Sequence, residues 1–259
     1  MSCERQNGKV RSVFLFSDSE ILTGWSMRFM LILTDQSICL RKEEIMPFES
    51  FEKLSEEKKE RILSTGIRAF SEKPYREVST DAITRACRIS KGILFHYFHS
   101  KKDFYLYCLE QAMCRLTEKT AEAEGKSFYE ILFFEMERKN ELCRKYRDEM
   151  HLVNMASRDA STEIQKEREA VFRKYAESIQ AESFRTVERA LKTLNLRSIK
   201  NERILKEGLY VYVNALMNRV LRQYQEDPDA FFEHSDDIQK EMKEYLELFL
   251  YGICEEDEV

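Results

Sequence analysis

The 259-residue sequence predicts an all-α protein. Three observations carry that prediction. Only three prolines and seven glycines occur in the whole chain, and so few backbone breakers favour helices joined by short connections. From Phe48 onward the apolar residues recur at helical spacing instead of alternating. The turn clusters that would separate strands are missing past residue 50.

Residues 1–45 read differently from the rest of the chain. Arg28 interrupts the most apolar stretch, Ile21 to Leu33, which is too short to span a bilayer. A secretory signal fits poorly, because Glu4 lies in the basic end and no small-residue cleavage site succeeds the apolar run. Residues 29–40 could pair as a hairpin around Asp35-Gln36, although an isolated hairpin is marginal in water. The expectation is an uncertain extension, either an artefact with translation starting at Met46 or a genuine segment that docks on the body.

The first helix is expected from Ser55 to Phe70. Glu56 and Glu57 sit in its first turn, where the helix dipole favours anions, and Leu63, Gly66, Ile67 and Phe70 make one face. Pro74 ends any continuation. Ser79 caps a short helix that stops near Cys87. Ser90 caps a third, Lys91 to Phe98, and Ser100 a fourth, Lys101 to about Glu124, with Gly125 at the stop. Five longer helices are expected beyond it, at 127–145, 147–159, 161–195, 198–225 and 232–252, the last two parted by the turn Asp227-Pro228-Asp229. An acidic tail, 255–259, should be disordered.

Net charge is −5, unfavourable for a polyanion binder taken alone. Its distribution is uneven. Residues 51–105 hold 12 Lys/Arg against 8 Asp/Glu, whereas residues 106–259 hold 24 against 32. A basic module on an acidic body suits a protein that meets nucleic acid with one end. Seven cysteines are scattered without a CxxC, as reduced thiols of a cytoplasmic protein would be.

The informative stretch runs from Val78 to Lys101: a short helix, a tight turn, and a second short helix with a polar, basic start. A helix-turn-helix needs that form, because its second helix enters the major groove with its N-terminal residues leading. Ile83, Cys87, Ile89, Leu94 and Phe98 are the apolar set that would hold the two helices together. Ser90 can cap the second helix, leaving neighbouring N–H groups to face phosphate. Gly92 lets backbone approach closely. Lys91, Ile93 and His96 would lie near base edges, lysine donating to guanine and isoleucine touching a thymine methyl. Tyr97 and Lys101 would reach phosphates.

Residues 58–105 resemble the DNA-binding domain of the tetracycline-repressor (TetR) family of bacterial regulators. The resemblance lies in Ala69-Phe70, Pro74-Tyr75, Ser79, the run from Ile83 to Ser90, the run from Lys91 to Phe98, and Ser100-Lys101-Lys102-Asp103-Phe104. Pro74 and Arg88 stand where that pattern has glycine, Cys87 where it has alanine, and Phe95 where it has tyrosine. If Arg88 must take a positive φ, the cost is about 1 kcal/mol relative to glycine.

The resemblance implies a DNA-binding domain over 50–100 and a helical regulatory and dimerisation domain over 101–254. It implies a DNA face of Ser79, Thr80, Arg88, Ser90, Lys91, Gly92, Ile93, His96, Tyr97 and Lys101. It further implies a homodimer joined through 198–225 and 232–252, with Tyr210, Leu216, Val220, Tyr245 and Phe249 as interface candidates. The partner would be double-stranded DNA with palindromic half-sites, the action repression, and the release signal a small apolar or aromatic effector acting through the fourth helix. Aromatic and methionine residues such as Met136, Phe172, Tyr175 and Phe184 could line such an effector's pocket, or simply be core.

Other classes have weaker support. No phosphate-cradling loop, nucleophile elbow or metal-hydrolase motif occurs, so no catalytic residue and no cofactor is expected. His96 and His99 have a metal-pair spacing, but no Cys or acid joins them. The alternative kept open is a helical adaptor dimer that has the fold and does not bind DNA.

Overall fold

The computed structural model describes residues 48–118, 127–196, 201–224 and 226–251. The extension, the expected start at Met46, the hairpin, Gly125 and the acidic tail lie outside the described residues. The described residues are helical, without strands. In chain order the helices are α1 (Glu49–Glu52), α2 (Glu56–Glu72), a 3-10 turn (Tyr75–Glu77), α3 (Thr80–Cys87), α4 (Lys91–Phe98), α5 (Lys101–Leu116), α6 (Phe128–Lys145), α7 (Arg147–Arg158), α8 (Thr162–Leu191), α9 (Glu202–Gln223), α10 (Pro228–Glu233) and α11 (Ser235–Tyr251).

Two elements go beyond the sequence expectation. Helix α1 is one: its Phe51, with Phe48 before it, is buried. Their rings lie 4.7 and 5.0 Å from Phe98 and 5.4 and 5.8 Å from Tyr107. At four residues it is too short for a periodic signal, and aromatic packing holds it. Helix α10 is the other, found where Asp-Pro-Asp suggests a turn. The same residues suit a helix start, and Asp227 accepts from the Ala230 N–H at 3.2 Å.

One hydrophobic cluster runs through both halves of the molecule, from Phe48, Phe70 and Phe104 to Leu152, Phe172, Val220 and Phe231. A second, of Phe128, Ile131, Val187, Leu191, Leu209 and Leu246, closes the far end of α6, α8, α9 and α11. Helix α7 lies against α2 and α5, and α8 against α5, α6 and α9, so the C-terminal half packs directly on the N-terminal helices. No helix among the described residues is long and apolar enough to cross a membrane.

The interface candidates on α9 need correction. Leu216 and Val220 are buried within their own chain. Helix α9 is apolar on two sides. Its Leu209, Leu216, Met217, Val220 and Leu221 face inward, while Ile204, Gly208, Val211 and Ala215 form an exposed stripe at i, i+4, i+7 and i+11. Both sides carry aliphatic residues, so the sequence offers no basis for choosing between them. Tyr210 and Tyr245 are half-buried; the Tyr210 ring meets Phe184 at 5.7 Å, and Arg219 lies over Tyr245 at 4.8 Å. Phe249 is exposed and stacks on Tyr212 at 5.0 Å.

Candidate nucleic-acid interface

The helix-turn-helix is built from its caps. Ser79 accepts from the Ala82 N–H at 3.4 Å and starts α3; Ser90 accepts from the Ile93 N–H at 3.2 Å and starts α4. Between them the chain reverses at Arg88, which has φ 55° and ψ 44°. The Arg88 N–H reaches the Arg85 carbonyl at 3.1 Å and the Ile89 N–H reaches the Thr84 carbonyl at 3.0 Å. That pair of bonds is the Schellman closure, whose left-handed residue is usually glycine. Arg88→Gly should therefore raise stability by about 1 kcal/mol. A chemical-denaturation midpoint unchanged or lowered by the substitution would contradict this.

Ile83, Cys87, Leu94 and Phe98 are buried, and Ile89 is partly buried against the same cluster. Anchored on Leu94 and Phe98, α4 turns its other side to solvent. Lys91, Gly92, Ile93 and His96 are all exposed, Ile93 by 39 %. A Cβ added at Gly92 would meet only the Ser90 hydroxyl oxygen, at 3.9 Å. The Lys91 and Gly92 N–H groups precede the first i→i−4 bond of α4, so they point out of its start. Ser79, Arg88 and Ser90 are exposed beside them, and Thr80 is half-buried.

The Lys91 ammonium lies 3.1 Å from Asp81 of α3. Both side chains are more than half exposed, so the pair holds within about 1 kcal/mol and lysine can be drawn away by a stronger anion. Tyr97 is placed otherwise than expected. It is buried, its ring lies 5.9 Å from Phe51, and its hydroxyl accepts from Lys58 at 3.4 Å. The group presented at that spot is the Lys58 ammonium, which the sequence does not single out because it belongs to α2. Lys101 is half-buried over the Tyr75 ring, 4.4 Å from its centre, and donates to the Arg76 carbonyl at 3.4 Å. Burial lowers its pKa, against the pull of Glu163 and Asp159. The ring and the carbonyl, rather than open solvent, surround it.

Helix α4 ends on a second positive φ, 59° at His99, where the Ser100 N–H meets the Phe98 carbonyl at 2.6 Å in a γ-turn. Ser100 then caps α5 by accepting from the Asp103 N–H at 3.0 Å. Helix α4 is thus fixed at both ends by hydrogen-bonded turns and caps.

A joint ties this head to the C-terminal half. The Asp159 carboxylate, between α7 and α8, accepts from the Tyr75 N–H at 2.6 Å and the Ser161 N–H at 2.7 Å. Arg168 donates to the Asp159 carbonyl. Lys102 pairs with Glu167 at 2.8 Å, and Arg76 donates to Thr162 at 3.3 Å.

Comparison with known proteins matches residues 62–108 to the family model described as bacterial regulatory proteins of the tetR family. The domain over these residues is thus of the TetR type. Among curated relatives, the transcriptional regulator AcuR of Cereibacter sphaeroides is 39 % identical over 49 residues, which are 19 % of this chain and 22 % of AcuR. The uncharacterised HTH-type transcriptional regulator YerO of Bacillus subtilis is 34 % identical over 80 residues, 29 % of this chain and 28 % of YerO. The chain thus spans about a quarter of the length of the curated relatives it matches. A solved TetR family transcriptional regulator from Chloroflexus aurantiacus superposes with a TM-score of 0.51 at 19 % identity, covering 79 % of this chain and 96 % of that one. That likeness shows the fold: an N-terminal helix-turn-helix of the TetR type, then a helical C-terminal half. Among the described residues, no group of three or more His, Cys, Asp or Glu is placed to hold a metal ion.

Proposed function

We propose that this TetR-family regulator binds operator DNA as a homodimer, represses from it in the cytoplasm, and is released by a small-molecule effector. The observation that carries the proposal is the start of α4. Lys91, Gly92, Ile93 and His96 stand in solvent on a helix whose opposite side, Leu94 and Phe98, is fully buried. An isoleucine left exposed between a lysine and a histidine has little to do for the fold, and it suits contact with a thymine methyl. Ser79, Thr80, Arg88 and Ser90 surround it as backbone-positioning groups, joined by Lys58.

Homodimerisation is supported by the outward stripe of α9. Ile204 is 60 % and Val211 44 % exposed, Gly208 has no neighbour within 4 Å of an added Cβ, and Leu248 and Tyr251 of the adjoining α11 are also exposed. Two such surfaces related by a two-fold axis bury each other, and symmetric half-sites are the consequence.

The test is selection of bound duplexes from random sequence, then gel retardation on the winner across a salt series. Two related half-sites about one helical turn apart are expected, with affinity falling steeply as salt rises. Lys91→Ala should weaken binding to the selected site by about 1–3 kcal/mol while leaving non-specific binding nearly unchanged. An adaptor that keeps the fold without reading DNA would give no retarded band at any salt.

A further inference from the structure

Lys139 lies in the middle of α6 and is 1 % exposed. Its nitrogen has no hydrogen-bond partner among the described residues. It shares one buried face with Met136, Asn140 and Cys143, at the i, i+3, i+4, i+7 spacing of an inward-facing stripe. Asn140 donates its amide to the Ser235 hydroxyl at 2.8 Å, and its carbonyl oxygen is a second buried polar atom without a partner among the described residues. Nearby carboxylates are already shared. Glu135 meets Arg138 at 2.9 Å and Arg189 at 3.3 Å; Glu182 meets Arg185 at 2.7 Å and lies 3.7 Å from Arg189. Both carboxylates are committed to arginines, and neither is within hydrogen-bond distance of the Lys139 nitrogen.

Burial holds Lys139 well below the usual lysine range. Arg138 beside it acts in the same sense, while Cys143 and Glu135 of α6 and Glu182 of α8 act weakly against. Cys143 is pushed up by its own burial, so it supplies no thiolate. An unpartnered amine here is costly, and a methionine in its place would be more stable. That cost is consistent with a group kept for binding.

We propose that Lys139 anchors an effector site at the α6–α8 face, and that the effector it takes is a small organic acid whose carboxylate pairs with the lysine nitrogen. The proposal deepens the effector reading of the function and rests on it. An arriving carboxylate favours the charged form of the amine, so binding is coupled to its protonation. Phe172 and Tyr175, two to three turns before Glu182 on α8, are buried, and an apolar tail running along that helix would reach them.

The experiment uses the full chain without DNA, so its outcome is separate from that of operator release. Straight-chain acids from acetate to octanoate, together with benzoate, are compared with their neutral amides by thermal shift and by calorimetry in buffers of different ionisation enthalpy. At least one acid is expected to raise Tm and bind with net proton uptake, and its amide to do neither. Lys139→Met should raise the Tm of the unliganded protein and weaken that acid on the order of tenfold to hundredfold, the loss of a buried charge-assisted bond. Acid and amide behaving alike in the wild-type protein, no acid in the series binding, or Lys139→Met binding as tightly as wild type would each overturn the proposal. An acid that binds as described and leaves the operator complex intact removes release, not the site.

Discussion

Gly66→Leu is expected to cost about 3 kcal/mol or more of stability, lowering the melting temperature by roughly 6–12 °C. Gly66 lies on the face of α2 that meets α5. A Cβ there would sit 2.3 Å from the Phe104 Cζ and 2.8 Å from the Cys108 Sγ. Neither neighbour has room to withdraw. Phe104 is fully buried, with Phe98 at 4.7 Å and Phe70 at 6.0 Å from its ring, and Cys108 is fully buried as well. Even alanine tests this, because helix propensity alone would favour it by about 0.8–1 kcal/mol. Overpacking of about 1–3 kcal/mol outweighs that gain, so Gly66→Ala should also unfold earlier than wild type. Pairing it with Phe104→Leu should recover part of the loss, a coupling between touching residues. Thermal and urea midpoints measure all three variants, and an alanine variant at or above the wild-type midpoint would show that the ring can move aside. Because the same ring packs against Phe98 at the end of α4, a displaced Phe104 would tilt the recognition helix, and DNA affinity should fall together with stability.

Most of the fold was legible because helices announce themselves locally. Three serines, Ser79, Ser90 and Ser100, each accept from an N–H three residues on, and each marks the start of a helix. The expected span 147–159 is found as Arg147–Arg158, and Lys91–Phe98 agrees at both ends. Helix α8 stops at Leu191, four residues before its expected end, and α9 begins at Glu202 rather than 198. Helix α5 is found over Lys101–Leu116, and residues 119–126 lie outside the described residues.

What escaped the sequence is long-range. No local pattern reveals that Tyr97 packs on Phe51, 46 positions away in the chain, with the Lys58 ammonium at its hydroxyl. Nor does a local pattern say which of two aliphatic stripes on α9 meets the core. Arg88 shows the reverse situation. The turn demands a left-handed residue, the sequence supplies an arginine, and the backbone takes φ 55° regardless, since the two closing hydrogen bonds and the burial of Ile83 and Leu94 on either side outweigh about 1 kcal/mol of strain. The anchoring lysine of α6 was hidden for another reason: a lone Lys in a charged helix reads as solvated until its burial is known.

Asp159→Ala should be the most damaging polar substitution, at about 3–5 kcal/mol. Asp159 is 7 % exposed and its two oxygens are each committed, one to the Tyr75 N–H and one to the Ser161 N–H. Removing the carboxylate leaves two buried donors unmet and the buried Arg168 without its nearby negative charge. Asp159→Asn should lose less than alanine, since it keeps one acceptor while its amide faces the other N–H. The wild-type carboxyl also gives the loss a pH signature. Burial pushes its pKa up, but the bonds from Ser161 and Tyr75 and the charge of Arg168 outweigh burial and hold it below the ordinary aspartate value. A depressed folded pKa means the contribution is complete above about pH 4 and disappears as pH falls through the folded value. Stability of the wild type should therefore drop on acidification by more than that of Asp159→Asn, and the two should approach each other at the acid end. Denaturation midpoints at neutral pH and near pH 3 measure the difference; parallel curves would mean that the carboxylate is not the group holding the joint. Amide exchange at Tyr75 gives a second, local readout, and it should accelerate in both variants. The same two bonds fasten the 3-10 turn ahead of α3 to the start of α8, which packs on the helix that carries Lys139. Loosening them should separate the recognition helix from whatever is bound between α6 and α8: effector binding persists in Asp159→Ala, while its effect on DNA affinity shrinks toward none.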